Sequence, residues 1–362
     1  MTPSIDIQGR RIGAGYPVYV VAELSANHRQ DIQQAMALIR AAKEAGANAV
    51  KLQTYTPDTM TIRSERSDFR IEGGTPWDGR TLYDLYGEAC TPWEWQPQLK
   101  ALADTLGLTL FSTAFDVSAV EFLEGMGVAA HKVASFEIVD ILLIERMART
   151  GKPIIISTGM ATREEITHAV DAARAAGARE LALLKCTSAY PAPPEAMNLR
   201  TIPAMAEAFG LPVGLSDHTL GITVAQAAVA LGACIIEKHL TLSRDVLSPD
   251  SAFSLEPREF KAMVEAIRTV EQALGEVRYG ASAHEAKSLV FRRSLFVVEA
   301  MKAGDVMTPE RVRSIRPGHG LPPKHLKEVL GRKAATDIKA GTPLSWDLFE
   351  GYSATGTDDR HH

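Results

Sequence analysis

Two histidines, His218 in GLSDHT and His239 in EKHL, each stand at the polar end of an otherwise apolar run. If those runs are adjacent strands of one barrel, both imidazoles can point inward and converge. Converging imidazoles beside open water positions suit a divalent transition metal, whereas the plainer reading is two separately hydrogen-bonded histidines. Asp217 and Glu237 are candidate outer partners of the pair. Lys51 and Lys132, with Lys185 as a third, end other apolar runs, and Ser135, Ser157 and Ser216 bring hydroxyls to the same ends. Several lysines around one cavity would repel each other unless an anion were bound, so the pattern asks for a phosphate or a carboxylate. Any one of them alone can instead snorkel to solvent. Glu23 and Glu137 are candidate acid or base groups, or ion-pair partners of the lysines.

The elements that must position these groups are legible as a repeat. Eight short Val/Ile/Leu-rich runs, at 18–24, 49–55, 108–115, 130–135, 153–159, 181–187, 213–219 and 234–240, alternate with Ala-rich segments of helical periodicity. In DIQQAMALIRAAKEAGA, Ile32, Ala35, Leu38, Ile39 and Ala42 share one face before Gly46 ends the helix. Eight βα units predict an α/β fold, a (β/α)8 TIM barrel. An open doubly wound sheet would carry a glycine-rich turn after its first strand, and AELSANH is not one. Each run is apolar at its start and polar at its end, the set running from Glu23, through Lys51 and Gln53, Thr113, Lys132 and Ser135, Ser157, Lys185, Ser216 and His218, to Glu237 and His239. Catalytic groups of this fold sit at that end, and a packed core would tolerate few of them. The segment SERSDFRIEGGTPWDGRTLYDLYGEACTPWEW is too long for an ordinary βα connection and is expected to shape the pocket.

The 362 residues accommodate one barrel of about 250 residues plus a small module. The reading assigns 1–275 to the barrel, 276–290 to a linker, 291–350 to a compact, mostly β domain and 351–362 to a disordered tail; His361 and His362 receive no function. A net charge of -5 gives no nucleic-acid footprint. Cys90, Cys186 and Cys234 lack metal-knuckle or redox-pair spacing. The N-terminal stretch has no basic region followed by an apolar one, and no apolar run would span a bilayer, so a cytoplasmic protein without a membrane partner is expected.

AELSANH, KLQTYTPD, KVASFE, STGMAT, KCTSAYP, GLSDHT, EKHL and RPGHG, in this order, resemble the sialic acid synthase family over nearly the whole chain. The resemblance implies a metal-bearing TIM barrel followed by an antifreeze-like (SAF) domain. It implies condensation of phosphoenolpyruvate with the open aldehyde form of an acetamido sugar, giving a nine-carbon 2-keto acid and phosphate. AELSANH, QTYTPD, WDGRTLYDLY, CTPWEW and RPGHGLPP are most similar to the pseudaminic acid branch, whose sugar is 2,4-diacetamido-2,4,6-trideoxy-altrose; the neuraminate and legionaminate branches are the alternatives. Ser188 stands where the family commonly has Asn and Ala114 where proline is common, which points away from a mannosamine substrate. Matching motifs assign His218 and His239 to a divalent metal, Mn²⁺ or Mg²⁺. They assign Lys51, Thr113, Lys132, Ser135, Ser157, Ser188 and Ser216 to phosphoenolpyruvate. Glu23, Gln53, Glu137, Tyr190 and Asp250 fall around the reacting sugar, and Arg316 matches a substrate-gripping arginine. A domain-swapped homodimer, with the small domain capping the partner's barrel, is also implied. Two rivals stay open: another barrel enzyme that uses phosphoenolpyruvate or pyruvate, such as a 3-deoxy sugar acid synthase or a Schiff-base aldolase, the latter surviving chelation, and a carbohydrate-binding protein, which would release no phosphate.

Overall fold

The computed structural model describes residues 3–74 and 77–351. The chain divides into two compact units, Met1–Gly275 and Glu276–His362. The tail expected to be disordered lies, from residue 352 on, outside the described residues.

The first unit opens with an antiparallel hairpin, β1 (Ser4–Ile7) and β2 (Arg10–Gly13). Its turn residues Gln8 and Gly9 have φ of 54° and 79°, the left-handed pair that lets a two-residue turn follow the twist of its strands. Eight parallel strands follow: β3 (Tyr19–Glu23), β4 (Ala49–Thr54), β5 (Thr109–Ala114), β6 (His131–Val133), β7 (Ile154–Ser157), β8 (Leu181–Cys186), β9 (Val213–Asp217) and β10 (Ile235–His239). They close into one barrel in chain order, with β10 pairing β3. All eight fall within the runs expected from sequence.

Side chains alternate along each strand, and the two parities bury against different things. Val20, Ala22, Val50, Leu52, Ile154 and Ile156 pack outward on the helices. Tyr19, Val21, Ala49, Phe111, Ala130, Ile155, Ala182, Leu184 and Ile235 face inward and cluster with Ile5, Ile7 and Ile12 of the hairpin. The hairpin therefore plugs the N-terminal end of the barrel, and the interior is apolar there. That hairpin is absent from the sequence reading.

The second unit has one two-stranded antiparallel sheet, β11 (Ser294–Val297) with β12 (Val312–Ile315). Isolated bridges such as Met301 to Ile338 and Ala334 to Phe349 complete the pairing. Leu295, Val297, Met307, Val312, Val329, Leu344 and Phe349 form its own core. Among the described residues no helix is long and apolar enough to cross a membrane.

Candidate active site

Continuing the inward parity past the apolar layer gives the polar layer. After Tyr19 and Val21 comes Glu23; after Ala49 come Lys51 and Gln53; after Phe111, Thr113; after Ala130, Lys132; after Ile155, Ser157; after Leu184, Cys186; and after Ile235, Glu237 and His239. Strand register sets these groups side by side, with His239 opposite Glu23, Glu23 opposite Lys51, Thr113 opposite Lys132 and Glu237 opposite Ser216. Above them lies a cavity of about 440 Å³. Its barrel-side lining includes Lys51, Gln53, Thr113, Lys132, Ser135, Glu137, Ser157, Tyr190, Ser216, His218, His239 and Asp250. Its outer wall comes from the long insertion, through Ile71, Trp77, Leu82, Leu85 and Tyr86.

The two lysines stand in different environments. Lys51 Nζ lies 2.5 Å from Glu23 Oε2 and 3.4 Å from Glu237 Oε1, and donates to Thr113 Oγ1 at 3.2 Å. Burial alone would lower its pKa, but the two carboxylates outweigh burial and raise it. Burial pushes Glu23 up to about 7 against the pull of Lys51. Glu237, although burial opposes ionisation, is held below the ordinary range by Lys51 and Lys132. Among the described residues no carboxylate is in ion-pair contact with Lys132. It donates to the Val133 carbonyl at 2.8 Å and to Ser157 Oγ at 2.6 Å, and burial pushes it down to about 8. Beside it, Gly159 N–H donates to Ser135 Oγ at 3.1 Å, and a side chain at Gly159 would collide with the hydroxyls of Ser135 and Ser188. Glycine in STGMAT thus leaves room for two hydroxyls next to the cation.

On the opposite side the rings of His218 and His239 are 5.3 Å apart. His218 Nδ1 is 3.1 Å from the Thr187 carbonyl; a carbonyl only accepts, so Nδ1 carries a proton. Burial alone would lower the pKa of His218, but Cys186 and the Thr187 carbonyl outweigh burial and raise it. Burial, His218 and nearby lysines hold His239 well below its ordinary pKa, so it is neutral, and its buried Nδ1 has no hydrogen-bond partner among the described residues. Glu237 Oε2 is likewise buried without a hydrogen-bond partner. Neutral His239, His218 once its Nε2 gives up its proton, and a spare carboxylate oxygen are the donor chemistry of a divalent cation. Among the described residues no cluster of three or more His, Cys, Asp or Glu forms a ready-made cage, so a cation held here would keep open positions for ligands from solution. The Tyr190 ring packs tilted against His218, centroids 4.5 Å apart and planes at 48°, and Trp77 packs tilted against Tyr190 at 5.8 Å and 53°. Glu137, pushed up to about 7 by burial, has a buried Oε2 without a hydrogen-bond partner among the described residues.

Residues 38–279 match the NeuB family, and residues 292–350 match the SAF domain. The chain belongs to the NeuB family. It is 47% identical over 336 residues to the pseudaminic acid synthase of Helicobacter pylori, covering 92% of this chain and 98% of that protein. To the pseudaminic acid synthase of Campylobacter jejuni serotype O:2 it is 45% identical over 333 residues, 92% and 97% of the two chains. To the N,N'-diacetyllegionaminic acid synthase of Legionella pneumophila it is 36% identical, over 93% and 96%. Among solved structures, the N-acetylneuraminic acid synthetase of Leptospira borgpetersenii superposes with a TM-score of 0.71 at 31% identity, covering 80% of this chain and 96% of that one.

Within this NeuB-family barrel, two expectations need correction. Lys185 lies on the outward parity of β8 and donates to the Cys186 carbonyl at 2.7 Å and to Thr187 Oγ1 at 3.3 Å, so it does not join the other lysines. Asp217 is also outward: it pairs with Lys238 at 2.8 Å and accepts from Thr219, and it backs neither histidine. Polarity at a strand end was the sequence signal for both, and polarity does not report parity. Glu237 contributes more than an outer partner, since it faces the cavity with an ion pair to Lys51 and a hydrogen bond from Ser216 Oγ at 3.0 Å. Cys186 and Ser25 also line the cavity and were not singled out; Cys186 Sγ is 3.8 Å from His218 Nδ1. The Ser188 hydroxyl flanks Gly159 together with that of Ser135, which lines the cavity. Arg316 is an exposed residue of the second unit, where Ser294 Oγ, donating to the Pro317 carbonyl at 2.7 Å and accepting from Gly320 N–H at 2.8 Å, holds the RPGHG turn.

Proposed function

We propose that the protein is a pseudaminic acid synthase, condensing phosphoenolpyruvate with 2,4-diacetamido-2,4,6-trideoxy-altrose to a nine-carbon 2-keto sugar acid with release of phosphate. The observation that carries the reading is one cavity with a lysine and hydroxyl wall facing a histidine pair. The 45–47% identity to two pseudaminic acid synthases, against 36% to a legionaminic acid synthase, supports the choice of sugar.

Lys132, Ser135, Ser157 and Ser188 would hold the phosphate, with Lys51, Thr113 and Ser216 on the remainder of phosphoenolpyruvate. Lys132 is the better phosphate binder because only neutral groups engage it in direct contact, so an anion relieves its burial. His218 and His239 would hold the metal, Mn²⁺ or Mg²⁺, which when bound supplies Lewis-acid polarisation of the sugar aldehyde. Gln53, Glu137, Tyr190 and Asp250 would orient the sugar. The methylene carbon of phosphoenolpyruvate attacks the aldehyde carbon, and the aldehyde oxygen becomes a hydroxyl. Water then adds at C2 of the phosphoenolpyruvate unit. Glu23, with a pKa near 7 beside Lys51, is placed to accept its proton. Collapse of the tetrahedral centre breaks the bond from C2 to the phosphate oxygen, leaving the ketone and free phosphate. Lys51 and Lys132 offset the anionic charge throughout.

Arg316 would act in trans within a two-fold dimer. No arginine lines the cavity among the described residues, and the second unit offers Arg316 on an exposed turn. Phosphate release measured with each component omitted in turn tests the reading. It should require phosphoenolpyruvate, the acetamido sugar and a divalent metal together; release without sugar, or unchanged after chelation, would refute it.

A further inference from the structure

Ser25, in the turn that follows β3, has φ of +42°, the left-handed region that residues other than glycine adopt only at a cost. It is also buried, 3% exposed, at the edge of the cavity. The contacts that over-determine this conformation all lead to sugar-side groups. Its N–H donates to Glu23 Oε1 at 2.9 Å. Its hydroxyl donates to Asp250 Oδ2 and accepts from Gln53 Nε2 at 3.0 Å. One residue thus ties together the end of β3, the end of β4 and the loop after β10. The next residues of the turn strengthen the tie: Ala26 N–H lies 3.4 Å from the same Asp250 oxygen, and Asn27 Nδ2 donates at 2.9 Å to both the Leu240 carbonyl and Ser254 Oγ. A hydroxyl has a single proton. With that proton committed to the Asp250 carboxylate, the Gln53 amide must present its NH₂ to Ser25 and its carbonyl elsewhere, so Ser25 also fixes which way Gln53 faces.

We propose that Ser25 is a positioning residue for the sugar half of the site, its hydroxyl setting the orientation of Gln53 and Asp250 while its amide sets that of Glu23. The assignment rests on the functional reading above, in which those three groups surround the sugar. Ser25→Gly and Ser25→Ala test it as a pair, because both delete the hydroxyl but only glycine accepts the backbone angle freely. Both variants should raise the KM for the acetamido sugar about tenfold or more, while the KM for phosphoenolpyruvate changes less than about twofold. Ser25→Ala should melt below Ser25→Gly. A Ser25→Gly enzyme with the wild-type sugar KM would overturn the proposal by reducing Ser25 to a turn residue, and so would equal rises in both KM values. The crystal structure of Ser25→Gly gives a readout that needs no turnover. Gln53 and Asp250 in new rotamers support the assignment, and both side chains unmoved overturn it. If the wild-type enzyme released no phosphate with any acetamido sugar, the functional reading would fail, and the positions of those side chains would still decide the role of Ser25.

Discussion

Lys132→Met separates binding from stability in a way that follows from the environment of the lysine. Its pKa is about 8 in the folded protein against an ordinary 10.5. That gap corresponds to about 3 kcal/mol of folded-state cost at neutral pH. The unfolded chain holds the proton more tightly than the folded one, so the cost is present in full below about pH 8 and disappears as pH rises towards 10.5. Methionine fills similar space without the charge, but it leaves the Val133 carbonyl without the donor it has at 2.8 Å, a loss of about 1 kcal/mol. The net expectation is a gain of about 2 kcal/mol at pH 7, or a melting temperature raised by about 3 °C for a unit of this size, shrinking to nothing by about pH 10. Phosphoenolpyruvate should stabilise the wild type and barely affect the variant, whose affinity falls about 10- to 100-fold with the lost charge-assisted hydrogen bond. Thermal melts at pH 7 and pH 10, with and without phosphoenolpyruvate, measure all four quantities. Lys51→Met should behave oppositely, because it strips the shared cation from Glu23 and Glu237 and costs about 3 kcal/mol or more. Lys132→Met melting below wild type at pH 7, a gain equal at both pH values, or normal phosphoenolpyruvate binding would each refute this role for Lys132.

His218→Ala and His239→Ala should each abolish nearly all activity and lower bound Mn²⁺ while leaving the circular dichroism spectrum unchanged, and chelation of the native enzyme should reproduce the loss; full activity in metal-free protein would refute the metal assignment. Arg316→Ala and His218→Ala homodimers should both be nearly inactive, yet subunits of the two refolded together should regain a substantial fraction of activity, because one site of the mixed dimer pairs an intact barrel with an intact partner arginine. No recovery in a mass-verified heterodimer would place the arginine within its own chain or outside catalysis.

The barrel was legible because each strand is an apolar run that turns polar at one end, and the site was legible because that end is where this fold works. What escaped depended on information that polarity does not carry. Lys185 and Asp217 are polar strand-end residues like Lys132 and Ser216, and only strand parity, set by which neighbours reach the hairpin plug, separates the two groups. The hairpin itself consists of two four-residue strands, Ser4–Ile7 and Arg10–Gly13, too short for periodicity to speak; Ile5 and Ile7 before the Gln8 and Gly9 turn and Ile12 after it are its signal. Ser25 joins residues 28 and 225 positions away, a meeting that exists only once the barrel closes. Pairing in the second unit runs largely through isolated bridges, which leave no regular strand pattern in a sequence.

The proposed reaction makes a carbon–carbon bond between phosphoenolpyruvate and one particular sugar. Mass spectrometry of the product formed from phosphoenolpyruvate and a competing mixture of 2,4-diacetamido-2,4,6-trideoxy-altrose, its legionaminate-pathway counterpart and N-acetylmannosamine tests it most directly. The dominant product should have the summed mass of the altrose derivative and pyruvic acid, with its label traced from isotopically marked altrose. A dominant product from either other sugar, or pyruvate and phosphate without any coupled product, would contradict it.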